Sequence, residues 1–325
     1  MQGDVNTTDW AAATAAARER IRALVRKTPV AQVKEAPGEP LRGVEAYLKL
    51  ENLQETGSFK LRGAANKVVG LGQSEAQRGV ITASNGNHGI AVAAAARHRG
   101  IAAEVFVSRQ VSPGKAKRIE DYGARIRRVG QEPLEAEIAA REAAADSGRV
   151  YISPYNDPEV IAGQGTIAGE LLEQLPAMDA IYVAVGGGGL IGGIGAYLKV
   201  RSPGTEVIGC WPENSRVMYE SLRAGGIVEF PEGPTLSEST AGGVEPGSIT
   251  FGLCRTVVSR GVLVPEDEIL EAMRWAAKAG WIVEGAAGVA IAAFFREWRR
   301  HEGKRVVVVS CGGNLSEKAA ARVAQ

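Results

Sequence analysis

Short apolar runs rich in valine and isoleucine alternate along this chain with longer, alanine-rich stretches. Residues 45–50, 79–84, 103–108, 125–130, 150–153, 180–185, 206–211, 261–265 and 305–310 read as strands. Helical patterns lie between most of them, over 87–99, 113–122, 133–146, 157–174, 190–200, 266–279, 284–299 and 315–323. Strand followed by helix, repeated this often, predicts an α/β fold of parallel sheets with helices on both faces. In such folds ligands bind beyond the carboxyl ends of the strands. That directs attention to SNGNHG (84–89), PYNDP (154–158), GGGGLIGG (186–193) and CGGN (311–314). The stretch 225–247 fits neither period and is predicted to be a long loop.

Charge narrows the partners. The 38 basic and 37 acidic residues leave a net charge of +1, and no long basic run is present. That argues against nucleic acid and anionic membrane and favours a small-molecule site. The N-terminal stretch MQGDVNTTDWAAATAAARERIRAL lacks the basic start and apolar core of a signal peptide. No apolar run approaches the roughly eighteen residues of a membrane span. Cys210, Cys254 and Cys311 lie far apart without metal-like spacing, which suits a reducing cytoplasm. His98 and His301, in HRG and HEG, read as surface residues.

The strongest local signal is AIYVAVGGGGLIGGIGAYLK, an apolar strand running through four glycines into a helix. Glycine lets backbone approach an anion closely, and the free N–H groups of a helix start point toward it. A phosphate is the natural guest. Gly187, Gly189 and Gly192 also satisfy G-x-G-x-x-G, with Glu213 after the next strand, so a nicotinamide dinucleotide is a rival guest. A ligand-free tight turn is the third reading. In GSFKLRGAANKV, Lys60 stands where a helix begins, as either an exposed helix residue or an amine held in a pocket for covalent work. Asn87 and His88 are either ligand contacts or the cap of the helix over 87–99.

GSFKLRGA, SNGNHG, IAGQGTIAGEL, VGGGGLIGG and CGGN, in this order, resemble the fold-type II pyridoxal-phosphate enzymes. Within them the chain looks like the threonine/serine dehydratase and serine racemase group, over roughly residues 10–325. The resemblance implies a tryptophan synthase β-like fold of two open, twisted, mostly parallel sheets flanked by helices. It implies a large cofactor domain (1–78 and 158–325), a small mobile domain (79–157), and a homodimer. Lys60 matches the Schiff-base lysine, with Phe59 beside it. Gly186, Gly187, Gly188, Gly189 and Leu190 match the phosphate loop, Asn87 the contact to the phenolic oxygen, and Glu284 a carboxylate at the cofactor edge. Glu284 reads equally as the N-cap of the helix after it. Cys311 matches the neutral partner of the pyridine nitrogen, as in mammalian-type serine dehydratases, with Ser310 the one-off alternative. Ser84, Asn85, Gly86, Asn87 and His88 match the loop that holds the substrate carboxylate. An amine must be neutral to attack an aldehyde, and burial or a nearby cation favours that form. Arg62 is a candidate cation whose direction the sequence leaves open.

Three departures qualify the match. Asn85 stands where serine racemases carry the second base, and an amide cannot take a proton, so racemisation is not expected. Trp211 replaces an acid of that subgroup's divalent-ion site and Glu213 alone is a poor site, so no metal is expected there. Ser237-Glu238-Ser239 replaces a usual ADG-like segment beside the substrate side chain. The expected activity is a pyridoxal-phosphate-dependent ammonia-lyase. Its substrate is a 3-hydroxy amino acid of threonine or serine type, or a bulkier one such as phenylserine or a hydroxyectoine-derived compound. Another β-elimination or β-replacement, a nicotinamide oxidoreductase and a non-catalytic binding protein are the alternatives.

Overall fold

The computed structural model describes residues 6–325. The first five residues of the N-terminal stretch, and of the large expected domain, lie outside it. The first part of the chain forms α1 (Thr7–Ile21), β1 (Val30–Val33), a small hairpin of β2 (Glu35–Ala36) and β3 (Glu39–Pro40), and β4 (Glu45–Leu50). There follow α2 (Lys60–Gly70), α3 (Gln73–Arg78), β5 (Val80–Ala83), α4 (Asn87–Arg99), β6 (Ala103–Val107) and α5 (Pro113–Asp121). Next come β7 (Arg125–Arg128), α6 (Pro133–Ser147), β8 (Val150–Tyr151), α7 (Pro158–Gln174), β9 (Ala180–Ala184) and α8 (Gly189–Arg201). The last part holds β10 (Glu206–Pro212), α9 (Val217–Ala224), α10 (Ile249–Val257), β11 (Arg260–Val264), α11 (Glu266–Lys278), α12 (Gly285–Glu297), β12 (Arg305–Ser310) and α13 (Glu317–Ala324).

Two sheets carry the architecture. The larger has the order β1-β4-β12-β9-β10-β11, and the smaller β7-β6-β5-β8. Every pairing in the smaller sheet is parallel, as are all in the larger except β1 on β4, which pairs Val30 with Lys49 antiparallel at the edge. β12 joins β4 to β9 in the middle of the larger sheet, and its valines 306–309 are buried. Helices cover a central parallel strand on both faces, which is why it reads as a continuous apolar run. Each fully buried valine there contributes about 1.5–3 kcal/mol.

The strands and helices expected from the sequence are present to within a few residues. Stretch 225–247 has no helix or strand. Sequence periodicity did not reveal β1, the β2–β3 hairpin, α3, α9 or α10, all short. One expectation is overturned: His301 is buried, not at the surface, with Nε2 2.7 Å from the hydroxyl of Tyr182 in β9. A turn of 3₁₀ helix, Trp298–His301, carries it inward after α12, a bend that the HEG context does not announce. His98 is exposed.

Beneath α2 sits a buried charge cluster. Arg62 donates through Nε to Glu51 at 2.8 Å and through Nη1 to Glu170 at 2.7 Å, while Lys49 reaches Glu170 at 2.7 Å. Two cations face two carboxylates, so the desolvated charges balance.

Candidate active site

The carboxyl ends of both sheets open on one cavity of about 1170 Å³. Its lining includes Phe59, Lys60, residues 84–88, Gly186, Gly187, Gly188, Gly189, Leu190, Glu284 and Cys311, so the sequence-derived candidates converge. Ser310 is not among the lining residues: it is buried, with its hydroxyl donating to Asn52 at 3.1 Å. Glu213 is exposed and lies outside the cavity, so the acid that a dinucleotide reading needs is not in the site. Trp211 is buried, also away from the lining.

Lys60 is the first residue of α2. The turn before it is tied to the CGGN segment: Phe59 N–H donates to the Cys311 carbonyl at 3.0 Å, and Gly313 N–H to the Gly57 carbonyl at 2.9 Å. Gly57 has φ +74°, and a Cβ there would lie 2.4 Å from Asn314 Oδ1, so only glycine fits. This docking turns Lys60 and Cys311 toward the same space. Lys60 Nζ donates to the Pro154 carbonyl at 2.8 Å. Burial lowers its pKa to about 8, with Cys311 and Glu284 opposing the shift. Arg62 takes no part in lowering it, because its guanidinium turns away into Glu51 and Glu170.

Burial likewise raises the Cys311 thiol well above its ordinary range, so it stays neutral. Burial also raises the Glu284 carboxyl, against hydrogen bonds from Asn87 and Ser239. Asn87 Nδ2 donates to both Glu284 oxygens at 2.9 and 2.8 Å, and Asn314 Nδ2 donates to Asn87 Oδ1 at 2.7 Å. The helix-cap alternative for Asn87 is therefore set aside: Gly86 holds the N-cap position of α4, and the Asn87 amide reaches another element. Glu284 does hold the N-cap position of α12, yet makes no side-chain cap there. His88 Nε2 bonds the Ile152 carbonyl at 3.0 Å, and burial lowers its pKa to about 3. A carbonyl only accepts, so this neutral ring carries its proton on Nε2. Nδ1 is left as a buried acceptor without a partner. An anion at this loop would meet backbone N–H groups, since the imidazole offers it no second proton. Asn85 is closed in both directions: Nδ2 donates to Ser108 Oγ at 2.7 Å, and Oδ1 accepts from Ser108 N–H at 2.8 Å.

Gly188 caps α8 with φ +84°. The first donor back into this helix is Gly192, to the Gly188 carbonyl, so the N–H groups of Gly189, Leu190 and Ile191 have no acceptor within it. A Cβ on Gly187 would lie 2.4 Å from the Tyr155 ring, and one on Gly186 2.9 Å from Thr240. The loop is thus pressed between Tyr155 and the 237–246 segment. Together these features fit a phosphorylated aldehyde: an amine poised toward its neutral form, a helix start offering N–H groups, and a neutral thiol. Among the described residues no three His, Cys, Asp or Glu side chains cluster as metal ligands.

Several lining residues escaped the sequence reading. Tyr155 lay in a segment that had been singled out without a role. Ser239, by contrast, belongs to the 237–239 segment that the sequence places beside the substrate side chain; it lines the cavity and donates to Glu284 at 2.8 Å. Leu134 and Ile138 of α6 left no motif, since their helical spacing resembles that of any amphipathic helix.

A family profile described as "Pyridoxal-phosphate dependent enzyme" matches residues 21–312. A Thermotoga maritima protein named L-threonine ammonia-lyase is 42% identical over 84% of this chain and 68% of its own length. A beta-hydroxyaspartate dehydratase of Paracoccus denitrificans is 36% identical over 92% of this chain and 94% of its own. Among solved structures, the processed threonine deaminase isoform 2 of Solanum lycopersicum superimposes with a TM-score of 0.90 at 31% identity. It covers 99% of this chain and 93% of that one.

Proposed function

We infer the function of this chain from its family: it belongs to the pyridoxal-phosphate dependent enzymes, as a lyase of the threonine and serine ammonia-lyase group. On that premise we propose that it converts a 3-hydroxy amino acid with an uncharged side chain to a 2-oxo acid and ammonia. The observation that carries this reading is Lys60, a buried amine lowered to about 8, facing a neutral thiol across a glycine-loop cavity.

Pyridoxal phosphate, when bound, supplies an aldehyde for the substrate amine and a ring that delocalises the electron pair left at Cα. The other tasks fall to the chain. The N–H groups at the start of α8 would hold its phosphate, and the neutral Cys311 thiol would accompany the ring nitrogen without protonating it. That partner favours prompt loss of a β-group over a long-lived negative charge at Cα. Lys60 would anchor the aldehyde and would be the base for the Cα proton; positioned proton transfer contributes about 10²–10⁴-fold. Ser84, Gly86 and the backbone of Asn87 and His88 hold the carboxylate. Both Glu284 oxygens accept from the Asn87 amide nitrogen, fixing the loop that carries it. The Asn85 amide, closed on Ser108, cannot serve as a second base, so the proposed elimination proceeds without racemisation.

The same proposal divides the chain into a cofactor domain (1–78 and 158–325) and a small mobile one (79–157), since the four-stranded sheet runs from Val80 to Tyr151. It also makes the enzyme a cytoplasmic homodimer, a reading its three buried free cysteines suit. The test is direct. Protein loaded with pyridoxal phosphate is given L-serine, L-threonine and 3-phenylserine while 2-oxo acid and ammonia are assayed. Equal yields of both products support the reading; substrate consumption without ammonia would overturn it.

A further inference from the structure

The helix α6 is packed the wrong way round for an amphipathic helix. Its buried stripe is Ala136, Ala140 and Ala144, set against Ile81 and Phe106 of the smaller sheet. Its two large aliphatic side chains point elsewhere: Leu134 and Ile138, one helical turn apart, are 65% and 49% exposed and line the cavity. Soluble helices turn such residues to the core and leave alanine to either face. Exposed apolar surface gathered at the mouth of a site marks a place where something apolar docks.

The charges around these residues point the same way. Arg141, next along this face of α6, pairs with Glu137 at 2.9 Å and Glu245 at 3.0 Å. Lys115 pairs with Glu238 at 3.1 Å. Arg141 and Lys115 already hold carboxylates, so a second carboxylate on a substrate that met either of them would have to displace one; the remaining cation at this end, Lys318, lines the cavity but is exposed to solvent, where its charge is screened. A cavity of about 1170 Å³ exceeds the roughly 300–1,000 Å³ of ordinary small-molecule sites, which leaves room beyond cofactor and amino-acid core.

We propose that Leu134 and Ile138 form the subsite for an apolar β-substituent, aryl or branched alkyl, and so select the substrate. The placement of that substituent rests on the ammonia-lyase reading. The subsite accepts phenyl and isopropyl groups and disfavours the carboxylate of 3-hydroxyaspartate.

Two readouts on the cofactor-loaded full chain separate this proposal from its premise. The first is binding of unreactive L-phenylalanine against L-alanine, followed by the change in the cofactor's visible absorbance. Phenylalanine is expected to bind about tenfold tighter or more, and Leu134→Ser with Ile138→Ser to cancel that preference. The second is the ratio of kcat/KM for 3-phenylserine over L-serine, expected to fall about tenfold or more in the same variant. Both residues are exposed on an intact helix, so the variant keeps its fold. Equal affinity for the two amino acids, or a variant that leaves both ratios unchanged, overturns the subsite. So does a preference for 3-hydroxyaspartate over 3-phenylserine. Preferential binding of phenylalanine with no turnover of any 3-hydroxy amino acid retains the subsite and overturns the lyase reading.

Discussion

Lys60 concentrates the chemistry in one amine, and its environment sets two expectations. Lys60→Ala should lose about 10²–10⁴-fold or more in turnover while keeping its circular dichroism and melting temperature. Wild-type turnover in that variant would remove Lys60 from the mechanism. The second concerns pH. Burial holds the folded amine at about 8, below the ordinary 10.5, so the neutral form grows as pH rises and saturates just above 8. Capture of pyridoxal phosphate by the apoprotein, followed by visible absorbance, should therefore quicken about tenfold per unit below that value and level off above it. A rise continuing toward 10.5 would mean an exposed, unperturbed lysine.

Glycine and arginine act through the elements they join. Gly187→Ala would drive a methyl group to 2.4 Å from the Tyr155 ring, costing about 1–3 kcal/mol and weakening cofactor affinity. Pairing it with Tyr155→Ala should recover much of the stability, a coupling read from a double-mutant cycle by denaturation. Arg62→Ala would strand Glu51 without its buried cation and leave Glu170 to Lys49 alone, an expected loss of about 3–5 kcal/mol in chemical unfolding. The contrast between Lys60 and Arg62 shows where the sequence was readable. Both sit in GSFKLRGA, and the motif carried the role of the first. The second was assigned a possible electrostatic part because sequence adjacency says nothing about direction: residues two apart on a helix face different sides. Long strands and helices were legible because their periods repeat over many residues. His301 was missed because its burial depends on a hydroxyl 119 residues away.

Across the molecule, a line of hydrogen bonds joins the two sheets. Arg118 of α5 bonds Asn314 and donates to the Thr56 carbonyl at 3.0 Å; Asn314 then reaches Asn87, and Asn87 reaches Glu284. Arg118→Met should weaken this joint by about 1.5–3 kcal/mol. Faster amide hydrogen exchange in α5 and a raised KM with little change in kcat would be the signs; unchanged exchange would show that the joint bears no strain. Neither this line nor the α6 subsite was visible in the sequence, since both depend on which helix faces meet across the cavity. The convergence of the four loops was visible, because the parallel topology sends every strand's carboxyl end to one side.

The central place of β12 has a consequence for synthesis. Residues 305–310 fill the gap between β4 and β9, and Cys311 and Gly313 then fasten the turn that carries Lys60. A nascent chain on the ribosome can form the smaller sheet early, from contiguous residues. Its larger sheet stays split until this late strand emerges, and contacts of such long sequence separation form slowly. A chain halted before residue 305 would therefore hold its lysine without the wall opposite. Retention of the yellow cofactor would then distinguish finished molecules from interrupted ones.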